Sequence, residues 1–313
     1  MRVPAHIPST DGVDVAVHDL GLPFMGLTSL GPSLLGPSLL GDEADRARPL
    51  LVSHATGFHG RCYLPLARHL AARPSAPLRA IAFDYRGHGD TPRPHGPVDW
   101  HRYGDDVEAV AMWLREATGE AVDAFGHSMG GACLLMVAAR QPGLFRRLVV
   151  FEPIVFPPEG LRPEHRDDAD PDDNPMVRGA RRRRAVFASH QAAIDNYGAK
   201  PPLSIFTAES LEAYVVHGFT PDPEGVRLKC SPDTEAETFA TGTRHDTWER
   251  LPSIDIPTLV IAGRVEQLQP SSISRAIADR LPRGRYLELG HLSHFGPMSH
   301  PGEVADLVAD ALS

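Results

Sequence analysis

The residues best suited to chemistry lie at positions 126–131, in the sequence Gly-His-Ser-Met-Gly-Gly. This matches the pattern G-x-S-x-G, in which a serine occupies a sharp strand-to-helix turn and exposes its hydroxyl. The glycines leave room for the tight turn. The free N–H groups at the start of the following helix favour developing negative charge. Ser128 is therefore a candidate nucleophile.

A serine hydroxyl needs a base that accepts its proton. Three histidines, His291, His294 and His300, lie near the end of the chain. We favour His294, because a loop of suitable length separates it from Pro301, where the last predicted helix begins. His291 lies nearer to the preceding strand and is the alternative base.

Short apolar runs alternate with helical patterns on both sides of these residues. Six runs are typical of strands covered on both faces: residues 49–53, 79–84, 121–125, 147–151, 256–262 and 285–289. Between them, residues 64–72, 103–116 and 131–140 have helical spacing of apolar side chains. This alternation predicts an α/β fold with a parallel sheet and crossover helices.

The alternation stops after Phe156. Residues 157–175 are rich in proline and acidic side chains, and two helical patterns follow at 177–199 and 208–216. We therefore predict one core, residues 1–155 and 243–313, interrupted by a helical cap at residues 156–242. This segment, 156–242, is called the insertion below.

The chain resembles the α/β-hydrolase fold family of serine hydrolases over nearly its whole length outside the insertion. Four motifs carry the resemblance in the family's order: residues 53–58 (Ser-His-Ala-Thr-Gly-Phe), 83–91 (Phe-Asp-Tyr-Arg-Gly-His-Gly-Asp-Thr), 126–131, and the loop with Ser293 and His294. The chain departs from the family at Ala55, where glycine is usual, and at Thr91, where serine is common. The resemblance implies a mostly parallel sheet of eight strands with an inserted helical cap.

A triad also needs a carboxylate that orients the histidine and stabilises its charged form. Two glutamates compete for this role. The family pattern Gly-x-x-Asp followed by proline resembles residues 263–270, with Glu266 at the aspartate position. Glu152 ends the strand that follows the serine, and some relatives place their acid there. We favour Glu266 and keep Glu152 as the alternative.

An oxyanion hole needs two backbone N–H groups aimed at the developing charge. The geometry of the turn assigns one to Met129, the residue after the serine. The resemblance implies Thr56 as the other. Together these residues predict an enzyme that hydrolyses a carboxylic ester or lactone through an acyl-enzyme intermediate, with no cofactor and no metal.

Two other functions remain open. The same triad serves enzymes that hydrolyse carbon–carbon bonds and haloperoxidase-like enzymes. A non-catalytic ligand receptor on a hydrolase scaffold is a different class, and the intact serine and histidine argue against it.

Composition excludes several further classes. The 313 residues include 31 basic and 40 acidic side chains, a formal net charge of −9, which disfavours a nucleic-acid partner. The three cysteines form no CxxC pair, and no apolar run is long enough to span a membrane. We expect a cytoplasmic protein whose partner is a small-molecule ester or lactone, and a homo-oligomer stays open. The repeat at residues 31–40 is interpreted as a surface loop, and the arginines at 181–184 as a charge match to the acidic residues 164–173.

Overall fold

A sheet of eight strands forms the centre of the computed structural model, which describes residues 5–21, 47–73, 78–158, 170, 173–267 and 269–313. Its strand order is β1-β2-β4-β3-β5-β6-β10-β11. These strands are β1 (Ala5–Pro8), β2 (Asp14–Asp19), β3 (Arg48–Ser53), β4 (Leu78–Phe83), β5 (Val122–His127), β6 (Phe145–Phe151), β10 (Thr258–Ala262) and β11 (Gly284–Glu288). Only β1 and β2 run antiparallel to their neighbours, so the predicted α/β fold with a mostly parallel sheet is confirmed.

The helices either cover the two faces of this sheet or belong to the insertion. They are α1 (Leu64–Ala71), α2 (Trp100–Thr118), α3 (Met129–Arg140), α4 (Pro175–Arg181), α5 (His190–Gly198), α6 (Ala208–Gly218), α7 (Pro232–Ala240), α8 (Thr247–Arg250), α9 (Ser271–Arg280), α10 (Gly296–Ser299) and α11 (Pro301–Ala311). Apolar residues of α2, α3 and α9 pack in one buried cluster, and those of α1 and α11 pack in a second. The last helix begins at Pro301, as the sequence predicts.

The insertion contains more than helices. Besides α4 to α7 it holds a three-stranded antiparallel sheet, ordered β7 (Val186–Phe187), β9 (Gly225–Leu228) and β8 (Phe219–Asp222). Strands of two to four residues are too short for an alternating pattern to predict, so the sequence indicated helices alone. The division into a core and a cap stays a prediction.

Two segments with sequence predictions lie outside the described residues. They are the repeat at residues 31–40 and most of the acidic stretch at 164–173. Among the helices that the structure does describe, none is long and apolar enough to cross a membrane.

Parallel strands bring their carboxyl ends to one edge of the sheet, and the candidate residues lie there. Ser128 directly follows β5, and Glu152 directly follows β6. The residue after β10 is Gly263, and the loop that follows β3 contains Thr56. The topology therefore gathers chain segments more than 100 residues apart in sequence.

Candidate active site

Ser128 forms the turn between β5 and α3. Its backbone has φ 56° and ψ −116°, a conformation that non-glycine residues rarely adopt. Three hydrogen bonds hold this turn: the Ser128 N–H donates to the carbonyl of Phe151 at 2.9 Å, and the Ser128 carbonyl accepts from Ala132 at 3.1 Å and from Ile154 at 3.3 Å. The side chain therefore projects from a rigid turn at the N-terminus of α3.

The glycines around Ser128 are required by close backbone contacts. A Cβ atom on Gly130 would lie 2.1 Å from the carbonyl oxygen of Ser53, at the end of β3. A Cβ atom on Gly126 would lie 2.7 Å from the Cα atom of Gly131. Because both distances are far below van der Waals contact, the G-x-S-x-G pattern follows from packing of Gly130 against β3 and of Gly126 against α3.

His294 is held by Glu152. Its Nδ1 atom lies 2.7 Å from Glu152 Oε2, and the carboxylate side chain is only 1% exposed. The other oxygen, Oε1, accepts a hydrogen bond from the backbone N–H of Gly263 at 2.8 Å. Since a carboxylate accepts, Nδ1 carries the proton and Nε2 is left to accept one.

Glu152 is fixed by its backbone as well as by its side chain. Its φ of 45° is in the left-handed region, and its N–H donates to the carbonyl of Ile261 on β10 at 2.8 Å. The strand end thus bends the carboxylate toward His294, in the loop between β11 and α10. This is the geometry of a histidine oriented by a buried acid.

Glu266, the acid favoured by the sequence, lies elsewhere. Its side chain is exposed, and within the described chain its carboxylate makes no hydrogen bond or ion pair. Its backbone is held locally, with the N–H donating to Ser271 Oγ at 3.2 Å. The structure therefore brings the alternative, Glu152, to His294 in place of Glu266.

The two other candidate histidines pair with groups other than Glu152. His291 Nε2 lies 2.9 Å from Glu303 on α11, and His300 Nδ1 lies 2.9 Å from Ser299 Oγ. In the part of the chain described, no hydrogen bond joins the Ser128 hydroxyl to His294. Such bonds are often long in ligand-free enzymes and tighten when substrate binds.

Thr56 and Met129, the two residues predicted to form the oxyanion hole, lie in contact through their side chains. Thr56 Oγ1 lies 3.5 Å from Met129 Sδ. Among described residues, neither backbone N–H has a hydrogen-bond acceptor, whereas the nearby N–H of Phe58 donates to the carbonyl of Ala55 at 3.1 Å. Two free N–H groups, one at the start of α3, are thus available to an anion.

Aromatic rings pack beside His294. Four of them form a connected group: Phe58, Phe206, Tyr214 and Phe295. The Phe58 ring centroid is 6.2 Å from that of His127, and the Phe295 centroid is 5.5 Å from that of His294. Phe206 and Tyr214 belong to the insertion, so the insertion reaches the candidate site.

Arg183 has a different partner from the predicted acidic stretch. Its guanidinium donates to Glu235 on α7, to Tyr214 Oη at 2.5 Å and to Tyr197 Oη at 3.1 Å. Glu235 lies over the loop that follows β3, residues 54–59, which contains Thr56 and is called the oxyanion loop below. A Cβ atom on Gly57 in this loop would meet the Glu235 Oε1 atom at 2.5 Å. The arginine is thus paired inside the insertion.

His18, Asp84 and Asp90 form a group with the spacing of metal ligands. His18 Nε2 lies 2.8 Å from Asp84 Oδ2, and that oxygen also accepts from the N–H of Asp90 at 2.7 Å. Asp90 is neutralised by Lys229 at 2.5 Å and Arg61 at 3.3 Å. Because the cluster already holds its own cations, it fits a structural role in the Asp-x-Arg-Gly-x-Gly segment and does not fit a metal.

Comparison with known proteins agrees with the fold. The chain is 26% identical over 285 residues to pimeloyl-[acyl-carrier protein] methyl ester esterase of Neisseria meningitidis, covering 85% of this chain and 93% of that protein. It is 28% identical over 246 residues to 2-hydroxymuconate semialdehyde hydrolase of Pseudomonas sp. strain CF600, covering 75% and 76%. The crystal structure of E-2-(acetamidomethylene)succinate hydrolase superposes with a TM-score of 0.70 at 18% identity, covering 99% and 98% of the two chains. The model of the alpha/beta hydrolase family matches residues 50–307, and the chain therefore belongs to that family.

Proposed function

We propose that this protein is a serine hydrolase that cleaves a carboxylic ester or lactone through an acyl-enzyme intermediate. Ser128 is the nucleophile, His294 the base, and Glu152 the acid in place of Glu266. The observation that carries the proposal is the 2.7 Å contact between His294 and the buried carboxylate of Glu152, at the sheet edge where Ser128 also lies. The name of the Neisseria esterase supports the ester as substrate class.

In the first half-reaction, Ser128 Oγ attacks the carbonyl carbon while its proton passes to His294 Nε2. Glu152 stabilises the resulting imidazolium through Nδ1. The carbonyl oxygen gains negative charge and accepts hydrogen bonds from the N–H groups of Thr56 and Met129. When the tetrahedral intermediate collapses, the Nε2 proton passes to the leaving alkoxide, and the alcohol departs; in a lactone it stays attached to the acyl group.

In the second half-reaction, His294 Nε2 takes a proton from water, and the hydroxide attacks the acyl carbon. Collapse of the second tetrahedral intermediate breaks the bond to Ser128 Oγ, which recovers its proton from Nε2. The acid product leaves and the enzyme returns to its starting state. The reaction needs only groups that the chain supplies.

The insertion is proposed as a cap over this site. Phe206 and Tyr214 of the insertion pack on Phe58 of the oxyanion loop, at ring-centroid distances of 6.0 and 5.3 Å. Apolar rings beside the base favour an uncharged, apolar acyl or alcohol group, because a charged group would lose its hydration there.

Hydrolysis of a carbon–carbon bond is the second candidate. The match to the Pseudomonas hydrolase favours it, since its printed name places a semialdehyde hydrolase among the relatives. Ser128, with His294 as its base, would attack a ketone carbonyl, and a carbanion would leave in place of the alkoxide. Parallel assays on p-nitrophenyl esters, simple lactones and a β-diketone separate these candidates.

Covalent labelling tests the proposal directly. A fluorophosphonate probe should label the wild-type protein at Ser128, identified by mass spectrometry of the labelled peptide. Ser128→Ala should abolish labelling, whereas Ser253→Ala, at a serine outside the site whose hydroxyl donates to the Arg250 carbonyl, should leave it unchanged. A folded wild-type protein that resists the probe would contradict the proposal and favour a ligand receptor.

A further inference from the structure

His127, the residue before Ser128, has a defined proton arrangement. Its Nε2 atom lies 2.8 Å from the carbonyl oxygen of His294, which can only accept a hydrogen bond, so Nε2 carries the proton. Its Nδ1 atom then has a lone pair and accepts from the hydroxyl of Tyr63 at 2.8 Å. Burial lowers the pKa of His127 well below its usual value, which keeps the ring neutral.

Tyr63 continues this chain of hydrogen bonds. Its hydroxyl donates to His127 and also accepts from the backbone N–H of Ala55 at 3.3 Å. Tyr63 is fully buried, in the short 3-10 helix Gly60–Tyr63, and no water is needed to satisfy its oxygen. One phenol thus connects the loop after β3 with the strand that carries the nucleophile.

This series of hydrogen bonds runs beside the proposed reacting groups. Ala55 directly precedes Thr56, whose N–H is a proposed oxyanion donor, and His127 directly precedes Ser128. The last hydrogen bond of the series, from His127 Nε2, holds the backbone carbonyl of His294, the proposed base. Glu152 fixes the ring of His294, so His127 supplies a separate hold on its main chain.

We propose that Tyr63 and His127 are positioning residues. Three hydrogen bonds form a bridge: from Ala55 N–H to Tyr63 Oη, from Tyr63 O–H to His127 Nδ1, and from His127 Nε2–H to His294 O. This bridge keeps the oxyanion loop and the loop that carries His294 in fixed positions relative to Ser128. This inference rests on the proposed function. Neither side chain touches substrate. Both act on the geometry of groups that do, and small displacements of such groups slow catalysis strongly.

Removal of the Tyr63 hydroxyl tests the bridge. Tyr63→Phe leaves the Ala55 N–H and His127 Nδ1 without partners, so both loops can shift. We expect kcat for a p-nitrophenyl ester to fall about 10- to 100-fold, with KM changed by less than about threefold. The rate constant for fluorophosphonate labelling should fall by a similar factor.

Tyr103→Phe is the matched control. Tyr103 is also buried, at 1% exposure, and its hydroxyl lies 2.8 Å from Thr238 Oγ1, away from the reacting groups. Both variants lose one buried phenol oxygen, so both should melt at lower temperature. Only Tyr63→Phe should lower kcat by more than about twofold, since a purely structural loss would affect the two alike.

Two substitutions of His127 test the same bridge from its other side. The amide of glutamine can reach the position of Nε2 and donate to the His294 carbonyl, whereas the shorter asparagine amide reaches only the position of Nδ1. We expect His127→Gln to keep at least about tenfold more kcat than His127→Asn. This rescue by the longer amide does not depend on whether Tyr63→Phe folds.

The outcomes separate the two proposals. If wild-type protein is unlabelled by the fluorophosphonate, the proposed function is wrong and the bridge has no reaction to support. If wild type is labelled at Ser128 but Tyr63→Phe behaves like Tyr103→Phe, the bridge is wrong and the proposed function stands. Equal kcat values for His127→Gln and His127→Asn would likewise overturn the bridge.

Discussion

Two neighbouring strands of the sheet each end near a glutamate, yet the two side chains have opposite environments. Glu152 is the first residue after β6; it is 1% exposed, and both carboxylate oxygens accept hydrogen bonds. Glu266 lies four residues beyond β10, and its side chain is exposed. Distance from the strand end, more than the local sequence motif, decides which carboxylate reaches His294.

A residue at the strand end has a fixed position because its backbone is still hydrogen-bonded to the neighbouring strand. The N–H of Glu152 donates to Ile261 on β10, and Gly263, the first residue after β10, donates its N–H back to the Glu152 carboxylate. Glu266 lies beyond the strand, where the backbone no longer pairs with the sheet. Three glutamate variants test this contrast, and a pH experiment tests the buried histidines near the same edge of the sheet; the largest expected effect comes first.

Glu152→Gln should abolish most activity. The amide removes the negative charge and permits the wrong tautomer of His294, a change that costs about 10³- to 10⁴-fold in kcat in triad enzymes. The measurement is kcat on a p-nitrophenyl ester, with circular dichroism to establish that the variant is folded. Retention of more than a tenth of the wild-type kcat by folded Glu152→Gln would refute its role as the acid.

Glu152→Asp should have an intermediate effect. The charge remains, but the carboxylate is one methylene shorter and moves away from His294 Nδ1. We expect a loss of about 10- to 100-fold in kcat with little change in KM, because a shift of about 1 Å in catalytic geometry has a cost of this size. A loss as large as that of Glu152→Gln would mean that reach matters as much as charge.

Low pH should lower the free energy of unfolding through buried histidines near the edge of the sheet. His54 and His59 both belong to the oxyanion loop. Burial lowers the pKa of His54 to about 3 and that of His59 to about 4, below the value of about 6.5 in the unfolded chain. Between these values the unfolded state binds more protons, so the free energy of unfolding falls as the pH drops from about 6.5 toward 4. Each histidine contributes a slope of up to about 1.4 kcal/mol per pH unit.

Urea denaturation at pH 7.5, 6.5, 5.5 and 4.5 measures this slope. His59→Gln removes one titrating ring while its amide can still donate to the carbonyl of Tyr214, the partner of His59 Nε2 at 3.0 Å. Its stability should therefore decline less steeply than that of wild type. A flat wild-type profile across this range would contradict the expectation.

Glu266→Gln should change least. Its carboxylate is exposed and has no partner among the described residues, so kcat should stay within about twofold of wild type and the melting temperature within about 1 °C. A loss of activity comparable to that of Glu152→Gln would restore Glu266 as the acid and reverse the comparison.

Much of the fold followed from sequence because its signals are local. Short apolar runs and helical spacing predicted a parallel α/β sheet, the family resemblance implied its eight strands, and the glycines around Ser128 predicted a turn that the structure contains. The contact between Glu152 and His294 was harder to predict, because a motif at residues 263–270 does not reveal which strand-end group fills the space beside His294. The contacts of Tyr63 and His127 join residues up to 167 positions apart, a separation that no single-sequence pattern records.

The backbone of Ser128 has a consequence for selection. A serine at φ 56° is strained by about 1 to 3 kcal/mol, and its hydroxyl has no hydrogen-bond partner within the described chain to offset this. Glycine would adopt the same turn without that strain. Evolution for thermal stability alone would thus favour Ser128→Gly, and selection for turnover alone would oppose it. A library screened only for folding should accumulate glycine at the position of the proposed nucleophile.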